Sequence, residues 1–277
     1  MSFVRIRQQI TNRLFPNAGN NRLLVTRRPG IVWTPARLFD QGQMGIWLDP
    51  SDLGSLFQDS VATIPVTAPG QPVGLIRDKS GNGRNFTAGG AARPTLGLES
   101  GKYYLDFAGA QGMTGLQMDL SAVDQVLACC GIRIINNATQ AFIYEFSANL
   151  SLNNGAFNLQ APNAAAGTNS TFASKGTAAA TAVGAIGAPP QTKVLTGIGE
   201  IVSPSAILRV NAAQVANVVT SQGTGNYGDF SHYLGARGAV SNFFVGRVYQ
   251  VIVRGGPTTA AELAETEKFV NGKTGAY

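Results

Sequence analysis

Short runs of alternating apolar and polar residues, separated by glycine and proline, fill most of this chain from Ile46 onward. "GIWLDPSDL" sets a strand-like piece before Asp-Pro-Ser, a turn initiator. "KYYLDFAGAQGM", "VLACCGIRII" and "QAFIYEFSA" follow, and the last two carry the β-branched and aromatic residues that suit core strands. From Gly155 to Pro190 large side chains are few, which predicts thin strands with long loops. "TKVLTGIGEI", "SAILRVNAAQVANVVT", "HYLGAR" and "FFVGRVYQVIVRGG" read as further strands, with a hairpin turn at Asn211 inside the second of these. Near the end the period changes. Thr259-Ala260-Ala261-Glu262, just after Pro257, is a capping box, and Leu263, Phe269 and Val270 fall beyond it. That pattern predicts a helix over 259–273 packed on the strands. Many strands at short spacing, with no alternating helices, predict an all-β sandwich or barrel.

Residues 1–45 break this pattern. Val4, Ile6, Ile10 and Leu14 fit a short helix from Phe3 to Phe15, and Pro16, Pro29, Gly30 and Pro35 then interrupt regular structure. A segment this poor in core-forming pattern cannot offset its own ordering entropy, so it is expected to act as an extended arm that orders on a partner. The chain therefore divides into an arm at 1–45 and a β domain at 46–277.

Charge sharpens the division. The net charge of the chain is +6, and its first forty residues hold seven arginines, no lysine and one acid, Asp40. Beyond them the acids and bases are equal in number. The arginines are Arg5, Arg7, Arg13, Arg22, Arg27, Arg28 and Arg37, interleaved with apolar residues that include Leu23, Leu24, Ile31 and Trp33. Guanidinium makes two-pronged bonds to carboxylates and stacks on rings, which suits ion pairs within interfaces. A tail held loosely on DNA more often mixes lysine with arginine and lacks apolar residues. The arm is thus expected to dock on a protein surface, with Trp33 as the first hot-spot residue, and a nucleic-acid contact is the alternative.

Charged residues are only 13% of the chain, against about a quarter in typical domains. The two cysteines, Cys129 and Cys130, are neighbours. In a strand they point to opposite faces and do not pair, so both read as small buried residues in a reduced compartment. No apolar core of a signal peptide follows Arg5 and Arg7, and no eighteen consecutive residues are apolar. Neither secretion nor a membrane span is expected.

Several stretches occur in an order shared with a known group: "GIWLDPSDLGSLFQDS", "GQPVGLIRDKSGNGRNFTA" with "ARPTL", "YYLDFAGA", "VLTGIGEI", "LRVNAAQVA", "GTGNYG", "VGRVYQVIVRGG" and "AETEKFVNGKTGAY". In this the chain resembles the concanavalin A-like (LamG-type) jelly-roll proteins of tailed bacteriophages and prophages, from about Ile46 to the end. The resemblance implies a concanavalin A-like jelly-roll β-sandwich, which the C-terminal helix and the extended N-terminal arm read above complete. It also implies a virion protein assembled in the host cytoplasm. The fold hosts lectins, glycosidases and scaffolds alike, so it does not select among them.

Candidate chemistry is sparse. Glycosidases of this fold carry Glu-x-Asp-x-x-Glu along one strand, and no such stretch is present. Glu145 is the only acid in a strong central strand and reads as a surface carboxylate or as one hydrogen-bonded in a turn. The single histidine, His232, lies near Asp229 and Ser231 in sequence, but triad members usually come from separate elements, so it reads as a half-buried strand residue. In "DKSGNG", Asp78, Ser80 and Asn82 match the first half of a calcium loop, while Gly89 stands where the bidentate glutamate belongs. The other reading of that loop is a tight turn whose side chains bond backbone. For sugar, Tyr227, Phe230 and Tyr233 could offer exposed rings, or pack the sandwich edge.

The expected function is a non-enzymatic phage structural protein, a capsid decoration or head-fibre protein or a tail attachment. Residues 1–45 would grip another capsid or tail protein, and copies would associate as a symmetric homo-oligomer such as a trimer. A tail lectin recognising host glycan is the alternative, and a glycan hydrolase a more distant one.

Overall fold

β-branched and aromatic residues at alternating positions favour pleated pairing, and the computed structural model, which describes residues 32–277, assembles seventeen strands from them. The first sheet runs β15 (Ala213–Val218), β14 (Ser205–Val210), β13 (Gln191–Glu200), β8 (Gln125–Ile134), β17 (Val245–Gly255), β6 (Lys102–Ala108) and β5 (Thr95–Glu99), with β1 (Gly45–Leu48) also on β17. The second runs β12 (Ala179–Ala185), β11 (Asn169–Lys175), β10 (Phe157–Gln160), β9 (Phe142–Phe146), β16 (Asp229–Leu234), β7 (Met113–Asp119), β4 (Phe86–Thr87), β3 (Leu75–Ile76) and β2 (Leu56–Phe57). Neighbours in both sheets are antiparallel, and the crossovers between sheets make a jelly-roll sandwich.

The inner faces meet in one hydrophobic core. Phe107 and Cys130 from the first sheet, with Phe244 just before β17, pack with Phe86, Tyr144, Phe146, Phe157 and Phe172 from the second. Each such aromatic, fully buried, contributes roughly 1.5–3 kcal/mol. Packing is close enough that Gly197 must lack a side chain, because a Cβ there would strike the Phe172 ring. The Gly155–Pro190 region therefore supplies two central aromatics, although most of its residues are small.

Local signals are realised where they were read. Asn211 and Ala212 take φ of 51° and 62°, the two left-handed residues of a tight hairpin between β14 and β15. Thr259 caps helix α1 (Ala260–Thr274): its hydroxyl accepts from Glu262 N while Glu262 accepts from Thr259 N at 2.8 Å. The helix lies on the outer face of the first sheet, above β8, β13 and β17. Gly131 clears space for it, since a Cβ would collide with Thr274. Arg209 holds the buried Glu267 with Nε–Oε1 at 2.8 Å and Nη2–Oε2 at 3.0 Å. Cys129 faces this helix and receives the Thr196 hydroxyl at 3.4 Å, whereas Cys130 faces the core; both are buried free thiols.

The division of the chain moves toward the N-terminus. Thr34–Tyr277 form one compact unit, so 34–45 belong with the sandwich rather than with the arm. The cause is the apolar pair Leu38 and Phe39, buried on a 3-10 turn at Pro35–Phe39 that is too short to show a period in sequence. Arg37 sits exposed on that turn. Arg5, Arg7, Arg13, Arg22, Arg27 and Arg28, and the helix read at Phe3 to Phe15, lie outside the described residues. Among the described residues no helix is long and apolar enough to cross a membrane.

Candidate functional site

Where the chain crosses between sheets it leaves a cleft of about 440 Å³ at the rim of the sandwich. Ala108 at the end of β6 and Val245 at the start of β17 form part of its floor. Asn136 and Thr139, on the connection from β8 to β9, form one wall; Asn242 and Phe243, on the connection from β16 to β17, form the other. Asn136 and Thr139 are exposed, and Asn242 and Phe243 are half-buried. Asn242 adopts φ of 47°, a left-handed conformation that asparagine tolerates better than most residues. Among the described residues no acid, no base and no histidine lines the cleft.

Below Asn242 the outer face of the second sheet is polar yet closed. Ala173, Asn158, Glu145, Tyr233 and Thr114 stand side by side across β11, β10, β9, β16 and β7. The segment after β9 folds over this row, and Lys175 Nζ donates to its Leu150 and Ser151 carbonyls at 3.0 and 2.8 Å. Glu145 is fully buried, a correction to its reading as a surface carboxylate. Its Oε2 accepts from Gly238 N at 3.0 Å, and Arg237 Nε lies 3.9 Å from Oε1. Burial outweighs these two contacts and pushes the carboxyl up to about 7. Sequence reading missed this because the connection covering the strand lies far along the chain.

The residues singled out from sequence scatter. Tyr227 is 1% exposed, with its hydroxyl 2.6 Å from Ser174 Oγ and its ring edge-on to Phe157. It is a core anchor and offers no surface for sugar, because the glycine-rich loop around it turns inward. Tyr233 is half-buried beside Glu145 and does not line the cleft, and Phe230 packs against the core. His232 is buried, a correction to its half-buried reading; its Nδ1 lies 2.8 Å from Tyr144 Oη, and burial pushes its pKa down to about 3.

Asp78 is occupied. Its Oδ1 accepts from Trp47 N and Ser80 N at 2.9 and 2.8 Å, and its Oδ2 from Ser80 Oγ and Arg84 N at 2.7 and 3.0 Å. Asn82 Nδ2 donates to the Gln43 and Gly45 carbonyls. Asp78, Ser80 and Asn82 thus clamp the loop to β1, and the carboxylate faces N–H and O–H donors. Among the described residues no cluster of three or more His, Cys, Asp or Glu side chains is placed to hold a metal.

Asn136, Thr139, Asn242 and Phe243 carried the cleft unnoticed. "INNATQ" and "SNFF" are each ordinary turn sequences, and only their meeting, a hundred residues apart, makes a site.

No protein-family model matches the sequence, and no curated protein matches it. Solved structures share the fold. One, on the dependence of botulinum neurotoxin type C cell entry upon interaction with two ganglioside molecules, aligns with TM-score 0.56 at 8% identity over 86% of this chain and 53% of its own. The receptor binding domain of the botulinum neurotoxin C/D mosaic serotype aligns with TM-score 0.56 at 8% identity, over 82% and 51%. The serotype D ligand binding domain in complex with N-acetylneuraminic acid gives 0.53 at 9%, over 70% and 48%. The chain spans about half the length of these neighbours, and the likeness is one of fold: a jelly-roll sandwich.

Proposed function

We propose that this chain is a non-enzymatic recognition component of a phage particle. Its arginine-rich leader holds it to another capsid or tail protein, and its sandwich turns a glycan-binding rim outward. The rim cleft is the observation that carries the reading: uncharged hydrogen-bonding groups stand beside an aromatic ring, the make-up of a sugar site. Two fold neighbours are described with gangliosides or N-acetylneuraminic acid, which supports recognition over scaffolding alone. The concentration of positive charge in the first forty residues supports the docking half. Hydrolysis of a glycosidic bond needs two carboxyl groups facing one another, and the charged neighbour of Glu145 is Arg237.

A glycan array probed with the full chain should give reproducible hits, and labelled chain should be found on purified virions. An array without hits, together with unimpaired host adsorption by particles lacking the protein, would overturn the recognition half. Absence of the chain from virions would overturn the particle half.

A further inference from the structure

We infer that the rim cleft takes an uncharged, hydroxyl-rich pyranose and excludes sialylated or otherwise anionic sugar. This rests on the glycan-binding reading above and says which class the site accepts.

A relay of amides sets the polarity of one wall. Asn242 Nδ2 donates to Gln140 Oε1 at 3.2 Å. Gln140 Nε2 donates to Gln160 Oε1 at 2.8 Å, and Gln160 Nε2 donates to Asn158 Oδ1 at 2.9 Å. The relay runs in one direction, from the cleft to the closed face of the second sheet. Turning over any one amide would oppose two N–H groups or two carbonyl oxygens, an arrangement that buried amides avoid. Gln160 and Asn158 are buried, so water cannot repair such a mismatch. Asn242 Nδ2 also points to the Gln140 main-chain carbonyl at 3.5 Å, an acceptor that cannot turn over, so the relay keeps this sense and Asn242 Oδ1 is left as the acceptor for a ligand.

The opposite wall has the complementary setting. Asn136 Oδ1 accepts from Ala138 N at 2.6 Å, which leaves its Nδ2 as the available donor. Thr139 adds a hydroxyl that serves in either sense. A fixed acceptor, a fixed donor and an adaptable hydroxyl match the vicinal hydroxyls of a sugar ring, each of which both donates and accepts. Phe243 supplies the flat apolar surface for the C–H face of the ring. The volume, about 440 Å³, lies in the small-ligand range of roughly 300–1,000 Å³.

Anionic sugar fares differently. Among the described residues no guanidinium or ammonium lines the cleft, so a carboxylate entering it would lose water without gaining a counter-charge from them. Asn242 Oδ1, locked as an acceptor, would face that carboxylate oxygen to oxygen.

The test titrates the full chain with methyl galactoside, methyl glucoside, methyl N-acetylglucosaminide and N-acetylneuraminic acid, using saturation-transfer NMR and calorimetry. At least one neutral glycoside should bind and N-acetylneuraminic acid should not. Phe243→Ala should weaken binding about tenfold or more, and Thr139→Val, at an exposed position, about fivefold, as for one lost hydrogen bond. Asn242→Asp should abolish binding, because it sets an acceptor against Gln140 Oε1. Circular dichroism would confirm that each variant is folded, and Thr139→Val keeps the test informative if Asn242→Asp is not. Binding of N-acetylneuraminic acid alone would overturn the inference and leave the glycan reading standing. Neutral binding untouched by both Phe243→Ala and Thr139→Val would overturn the placement. No binding of any sugar, alongside an empty array, would remove both.

Discussion

Two loops in this molecule differ in sequence, and each behaves opposite to what its sequence suggests. The Asp78 loop, "DKSGNG", is rich in oxygen ligands, yet four donors within the fold occupy its carboxylate. The Asn242 loop, "SNFF", has nothing that suggests a site, yet its amide is oriented from behind by a relay and its front faces a cleft. Polar content therefore says little about binding; what matters is which atoms remain after the fold has satisfied itself.

The largest effect that would sharpen this contrast lies in the Asp78 loop. Asp78→Ala strips acceptors from three backbone N–H groups and the Ser80 hydroxyl, and should cost about 4 kcal/mol in urea unfolding. Sugar binding by the folded fraction should be unchanged. A loss below about 1 kcal/mol would mean that the loop is not self-satisfied.

Glu145, which holds Gly238 on the connection carrying Asn242, comes next. The folded state keeps its proton up to about pH 7, whereas the unfolded chain releases it near the ordinary 4.5. Between those values the folded state binds more protons, so the Glu145 contribution to stability falls as pH rises and is fully unfavourable above 7. Glu145→Gln should therefore stabilise the protein by roughly 2–3 kcal/mol at pH 8 and by little at pH 4.5. His232 acts in the opposite sense below pH 6.5, since burial keeps it neutral, and it is common to both proteins. The difference between the two unfolding curves thus isolates Glu145. Equal curves at both pH values would show that the carboxylate is ionised without penalty.

The smallest effects belong to the cleft and to metal. Thr139→Val should change stability by no more than about 0.5 kcal/mol, because the residue is exposed and its hydroxyl is not needed by the fold. Millimolar calcium should leave the melting temperature within about 1 °C, since a tightly held ion would raise stability by mass action. A calcium-dependent rise of several degrees would return the Asp78 loop to the list of sites and erase the contrast.

Much of the fold was legible because its signals are local. The Thr259–Glu262 capping box, the Asn211 hairpin and the runs around Val126 and Phe142 each depend on residues a few positions apart. What escaped depends on distance. Glu145 looked exposed because its cover comes from the connection after β16 and the segment after β9. Tyr227 looked exposed because glycines flank it, although Ser174 and Phe157 receive its side chain in the interior. The cleft was invisible because it joins turns that no spacing rule connects.

The adjacent thiols of β8 give the molecule a pair of internal reporters. Burial pushes Cys129 up to about 12 and Cys130 well above the ordinary thiol range, so neither reacts while the fold is shut. One sits beneath the helix and the other between the sheets. An alkylating reagent should therefore label Cys129 whenever α1 lifts, and Cys130 only when the sandwich parts. Two labelling rates, read one residue apart by mass spectrometry, would separate the peeling of the lid from the opening of the box.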